Sequence, residues 1–185
     1  MSEEILLDAE ERMDKAVEAY GHTLDTVRTG RASTALVEHL HVSHYGQSMP
    51  LNQLATLAAP EAQLITIQPW DKGTFDSIMK AIQTSDLGIN PNNDGAVIRV
   101  NLPQLTEERR KEYIKVAKHK AEDARVSIRN VRRHAKDALD KMVKDGEAGE
   151  DDVRRAEKHL DEATHKHVEH IDEILKHKEA ELLEV

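Results

Sequence analysis

The chain has 185 residues, a third of them charged, and carries a formal net charge of −9. It contains no cysteine, which excludes disulfides and thiolate metal sites and suits a reducing compartment. No run of about 18 apolar residues occurs, so no membrane span or membrane partner is expected. The acidic opening MSEEILLDAEERMD lacks the apolar run of a signal peptide, and a cytoplasmic protein is the expectation.

Only five residues are aromatic: Tyr20, Tyr45, Trp70, Phe75 and Tyr113. The core must therefore be aliphatic, and no extended platform for stacking single-stranded bases is available. The acidic total also conceals a local reversal. Residues 1–30 carry three basic and eight acidic side chains, 31–106 four and six, 107–136 eleven and five, and 137–185 eight and sixteen. Net charge governs solubility, whereas a local field governs partners. Residues 107–136 form a basic island.

In chain order, residues 3–28 place Leu6, Ala9, Met13, Ala16, Tyr20, Leu24 and Val27 at steps of three and four, the stripe of an amphipathic helix. Residues 31–105 read differently. Strands are expected around Leu40 and Val42, over Leu64-Ile65-Thr66-Ile67, and around Ala96, Ile98 and Val100. Turn chemistry stands at Tyr45-Gly46, Asn90-Pro91 and Asp94-Gly95. Thr74 to Thr84 is expected to be a short helix with Phe75, Ile78, Met79 and Ile82 facing inward. This is a small α+β unit of β/α/β order.

From about 106 to 144 the series Ile114, Ala117, Ala121, Ala124, Ile128, Val131, Ala135, Ala138, Met142 keeps the helical step unbroken. Such a helix would be roughly 58 Å long. Pro103 precedes it, Thr106 is the expected N-cap with Glu107 and Glu108 in the first turn, and Lys144-Asp145-Gly146 ends it. From about 150 to 183 the pattern recurs at Val153, Ala156, Leu160 and Ala163, slips once, and resumes at Val168, Ile171, Leu175 and Leu182.

A lone 26-residue helix has an apolar stripe that needs a partner. The economical fold is α+β and discontinuous: residues 1–30 and 105–185 form a long three-helix bundle, with the small α+β domain of residues 31–104 inserted. The chain crosses the junction at Thr29, Gly30 and Arg31 and again at Leu102 and Pro103. Gly30 tolerates unusual dihedrals and Pro103 fixes one, which gives a hinge of limited freedom. Were Gly30 to take a positive φ, a β-branched replacement would be resisted there.

Beside the seam of the middle helix one strip reads Lys111, Lys115, Lys118, Glu122, Arg125, Arg129, Arg132, Lys136, basic at seven of eight positions. The strip on the other side has one Lys or Arg in eight. An extended polyanion would select that asymmetry, because each matched phosphate releases counterions, and arginine presents a planar fork to phosphate. Without aromatics the target is a helical nucleic acid read through backbone and shape. The competing reading is that the strip merely pairs with the acidic first and last helices.

Eleven histidines invite a metal reading, with His39 and His41 expected on one strand face and His167 and His170 one turn apart. Metal sites need three or four converging ligands; no HExxH spacing occurs, and solvated polar faces are the expectation. Asp151-Asp152 and Glu107-Glu108 sit at helix starts, where they complement the dipole. The segment DGEAGEDD has no lysine after its glycines and is not a phosphate loop. No catalytic constellation, metal site or cofactor is expected.

At VRTGRAS (27–33), YG (45–46), SDLGINPNNDG (85–95), IRVNLPQLTEERR (98–110), ARVSIRNVRR (124–133) and KHKEAELLEV (176–185) the sequence resembles the bacterial ribosome-recycling factors. The resemblance implies an L-shaped fold with a hinge between bundle and small domain, in a monomer. It implies binding of the bundle to ribosomal RNA of the large ribosomal subunit after termination. Elongation factor G, using GTP, then drives subunit separation, and the factor itself hydrolyses nothing. It further implies RNA contact by Arg129, Arg132 and Arg133, Arg132 foremost, although the helical register puts Arg133 on the outer face.

One departure from the family pattern is the crowd of histidines on the last helix (His159, His165, His167, His170, His177). A helical chaperone or exchange factor is the alternative class, and it leaves the arginine edge unexplained. A histidine-dependent metalloenzyme would explain the histidines alone.

Overall fold

A computed structural model describes residues 1–184; Val185, the last residue of the KHKEAELLEV string, lies outside them. The chain divides into two compact units, Met1–Leu24 with Ile114–Ala180, and Asp25–Tyr113 with the residues from Glu181 onward. The division falls at 24/25 and 113/114, so Thr29, Gly30, Arg31, Leu102 and Pro103 all lie within the second unit.

The first unit is built from nearly all of α1 (Ser2–Asp25) and most of α3 (Glu107–Lys144) and α4 (Glu150–Leu183). Ala9, Met13, Val17, Tyr20 and Leu24 are buried on α1; Ala117, Ala121, Ala124, Ile128, Val131, Ala135, Leu139 and Met142 on α3. Val153, Ala156, Leu160, Ala163 and Ile171 supply the seam of α4. Near the end of α3 it is Leu139 that is fully buried, while the expected seam residue Ala138 is only partly covered. The Tyr20 hydroxyl donates to the Ala117 carbonyl across α1 and α3 at 3.2 Å, and burial pushes the phenol up to about 12. It stays a donor at any ordinary pH.

The helix ends are specified locally. Thr106 Oγ1 accepts the Arg109 N–H at 3.2 Å, so Thr106 caps α3 as expected. At the other end Gly146 takes φ 71°, Glu147 N–H reaches the Met142 carbonyl at 2.9 Å, and Gly146 N–H reaches Val143 at 3.1 Å. That is the Schellman arrangement, which needs the left-handed residue that glycine supplies.

In the seam of α4 the slip after Ala163 is filled by His167. Its side chain is 11% exposed, with Nε2 at 2.6 Å from Asp14 Oδ1 on α1 and Nδ1 at 2.6 Å from the Ala163 carbonyl. The expectation of a solvated histidine is corrected here, because the ring is mostly covered and both its nitrogens face oxygens, the Asp14 carboxylate lying at the bundle's edge. His39 also departs from the reading: it lies in the turn before β1, not on its face.

The second unit holds β1 (His41–His44), β2 (Gln47–Pro50), β3 (Ala55–Glu61), β4 (Leu64–Pro69), α2 (Phe75–Gln83), β5 (Pro91–Asn93) and β6 (Ile98–Asn101). β1 and β2 form a hairpin whose closing pair is His44 and Gln47. Tyr45 and Gly46 take φ 47° and 81°, the doubly positive two-residue turn that suits strand twist. A four-stranded antiparallel sheet runs β3-β4-β6-β5, with Ile65 paired to Val100 and Ile67 to Ile98. Those four side chains join Ile78 and Ile82 of α2 in one buried cluster, against which Phe75 and Met79 pack.

Gly30 does not take a positive φ, unlike Gly46, Gly88, Gly95 and Gly146. A Cβ added there would meet only the Glu184 carbonyl oxygen at 3.9 Å, an ordinary contact. The premise that its backbone would resist a side chain is therefore corrected.

Candidate nucleic-acid interface

The basic strip stands on α3 as the register required, and the structure shows what each member touches. Arg125 is the most enclosed, with 19% of its side chain exposed. Its Nε and Nη2 donate to Asp172 Oδ1 of α4 at 2.9 and 2.7 Å, and its Nη1 donates to Glu122 at 2.9 Å. Every nitrogen of that guanidinium is engaged, so Arg125 acts as a clasp between α3 and α4. Glu122, the one acid of the strip, also accepts from Arg129 Nη1 at 3.2 Å. The Arg125 hydrogen bond, followed by the Arg129 charge, holds its carboxyl below the usual range.

Arg132 is placed differently. Its Nε donates to Asp161 Oδ1 at 2.7 Å, and 43% of its side chain is exposed. Among the described residues neither terminal nitrogen has a partner, so the end of the fork remains free for an oxyanion. Lys136 pairs with Glu157 at 3.8 Å and Lys118 with Glu179 at 3.7 Å, both across to α4. Lys111 belongs to the second unit and pairs with Glu107 at 2.7 Å. Lys115 and Arg133 are exposed and have no ion pair within 4 Å among the described residues.

The arrangement is thus a basic row on α3 faced by an acidic row on α4. The four acids Glu157, Asp161, Asp172 and Glu179 are what the motif reading missed. Their signal was present: separations of four, eleven and seven residues all return to one helix face. Among the described residues no group of three His, Asp or Glu side chains is placed to hold a metal ion, and no helix is long and apolar enough to cross a membrane.

Residues 20–183 match the family model described as "Ribosome recycling factor". The chain belongs to that family. It is 62% identical, over the whole of both chains, to a protein of Acidothermus cellulolyticus called ribosome-recycling factor. The ribosome-recycling factor of Streptomyces coelicolor is 58% identical over the same full lengths. A solution structure of a ribosome recycling factor is 42% identical with a TM-score of 0.79, covering all of this chain and 98% of that one. A second likeness, at 41% identity and TM-score 0.68 over both full chains, is to a structure titled as models for the T. thermophilus ribosome recycling factor and the E. coli elongation factor G bound to the E. coli post-termination complex. The family thus carries a mixed helix-and-sheet fold of long helices and a small antiparallel sheet, as described above.

Proposed function

We propose that the chain recycles ribosomes: it binds the large subunit after termination and, with elongation factor G and GTP, promotes separation of the post-termination complex into subunits. The observation that carries this reading is the full-length likeness to ribosome-recycling factors at 58–62% identity. In it the chain works in the cytoplasm as a monomer, contributes no catalytic group and needs no cofactor; nucleotide hydrolysis belongs to elongation factor G.

The RNA-binding surface in this reading is the α3 strip. Arg132, Arg129 and Arg133 meet phosphates of the large-subunit RNA, with Lys111, Lys115, Lys118 and Lys136 adding field and Arg125 holding the helices that present them. Thr29, Gly30 and Arg31 and Leu102 and Pro103, which lie within the second unit on the two strands of chain that lead to the first, serve as the hinge through which elongation factor G moves the domains against each other.

Sedimentation of post-termination ribosomes with and without the protein, elongation factor G and GTP tests the activity directly. Subunits should appear only with all three. Arg132→Ala should weaken binding to the large subunit by about 1–3 kcal/mol, the range for a charge-assisted hydrogen bond. Its melting temperature should fall only slightly, since exposed ion pairs are worth about 0–1 kcal/mol. Unchanged ribosome binding with a large loss of melting temperature would make Arg132 a structural partner of Asp161 instead.

A further inference from the structure

We propose that Glu157, Asp161 and Glu179 of α4 are specificity-determining residues: they occupy the cations of the α3 strip as phosphate mimics, so that an arbitrary polyanion gains little by binding there. The inference rests on the reading of the strip as the RNA surface. It concerns the acids, which that reading leaves without a role.

The geometry separates these three acids from Asp172. Asp172 takes two nitrogens of the enclosed Arg125 and serves packing. Asp161, Glu157 and Glu179 instead meet exposed cations, each through a single contact: Arg132 by Nε alone, Lys136 at 3.8 Å and Lys118 at 3.7 Å. Pairs whose cations are this exposed add little to folding. They nevertheless place a negative charge beside each cation to which an RNA phosphate would be drawn.

An incoming phosphate must therefore displace a carboxylate, or bind with one alongside, rather than displace a small counterion. The counterion release that drives non-specific nucleic-acid binding is correspondingly reduced. The penalty applies to every polyanion alike. Only an RNA surface that also engages Lys115 and Arg133, which have no ion pair among the described residues, the free end of the Arg132 fork and the shape of the helix recovers it. Discrimination thus arises from an element that weakens the wrong partner as well as from contacts to the right one. For a protein working among abundant RNA, that matters more than raw affinity.

The test compares two triple variants of equal charge change. Glu157→Gln, Asp161→Asn and Glu179→Gln together neutralise the α4 acids. Glu3→Gln, Glu10→Gln and Glu18→Gln neutralise three exposed acids of α1 that pair with none of the strip. Affinity is measured for an RNA duplex of unrelated sequence and for purified large subunits.

The α4 variant should bind the duplex about tenfold more tightly, with a log-log salt slope steeper by about two units, as freed cations recover counterion release. Its affinity for large subunits should rise less, so the ratio favouring the subunit falls. The α1 variant should gain less than about threefold on the duplex, the effect of net charge alone. An α4 variant no tighter on the duplex than wild type, or matched by the α1 variant, overturns the proposal. Should the triple variant melt below the assay temperature, Asp161→Asn alone is read, with a gain of about twofold expected and no gain counting against. Arg132→Ala in wild type and in the α4 variant keeps the two ideas apart. If it changes neither affinity, the strip is not the RNA surface, and it is the functional reading that fails.

Discussion

The two units solve the problem of burial in opposite ways. The sheet unit concentrates bulky aliphatics: its buried cluster holds Ile65, Ile67, Ile78, Ile82, Ile89 and Ile98 with Val and Leu, and a single alanine, Ala55. The bundle buries Ala9, Ala117, Ala121, Ala124, Ala135, Ala156 and Ala163 among fewer large side chains. Alanine removes little apolar area from water, and at about 25 cal/mol per Å² each contributes modestly. What it allows is close approach of helix backbones. The bundle therefore gains from length and from groups along its edges: the Tyr20 hydroxyl, the Arg125 clasp and the His167–Asp14 contact. The sheet unit gains from a dense centre.

The strongest test of that contrast is truncation at the centre of the sheet. Ile67 is fully buried between β3 and β6, and Ile67→Ala should cost about 2–5 kcal/mol, transfer and cavity terms together. In the bundle the same logic inverts, because the seam has no room. Ala121 is fully buried, and Ala121→Leu should cost about 1–3 kcal/mol by forcing the helices apart. Urea unfolding of both variants measures the two effects. An Ile67→Ala loss below about 1 kcal/mol would mean that the sheet unit does not depend on its centre.

Next in size is the clasp. Arg125→Met keeps the aliphatic stem and removes the head, leaving Asp172 and Glu122 to solvent. The expected loss is about 1 kcal/mol, because the cation is mostly covered while both acids are exposed. Thermal melting in low and high salt checks the cause. A loss that persists in 1 M salt would come from packing rather than charge.

Periodicity made the long helices readable, and it failed where a polar residue took a seam position. Ala163, His167 and Ile171 are evenly spaced by four, but a histidine does not register as apolar, so the seam read as slipped. His167 is mostly covered and met by Asp14 and the Ala163 carbonyl, and no one-dimensional pattern displays a contact 153 residues away. In the small unit β4 and β6 were visible from their Ile and Val alternation. β3 was not: Ala-Thr-Leu-Ala-Ala-Pro-Glu has weak strand preference, and it is a strand because β4 pairs with it. The candidate site was legible in half. A basic stripe is a property of one helix, whereas its neutralisation by α4 is a property of two helices in register.

The smallest effect expected lies at the edge of the sheet unit, in the turn between β5 and β6. The Asp94 carboxylate accepts N–H bonds from Val97 at 2.9 Å and Ala96 at 3.1 Å and also meets the Arg99 guanidinium. The Val97 bond foremost, then Arg99 and Ala96, pulls its carboxyl down to about 2. An unfolded chain has this group near 3.9. The folded state therefore favours the ionised form, and the stabilisation is fully present above about pH 4 and lost as pH falls through about 2. Because the group is exposed and screened by water, the effect on melting is small. Asp94→Asn keeps an acceptor oxygen but not the charge. It should melt slightly below wild type at pH 7, with the gap narrowing below pH 4 and closing near pH 2. A gap for Asp94→Asn that stays constant from pH 7 to pH 2 would mean that turn geometry, not the charge, carries the stabilisation.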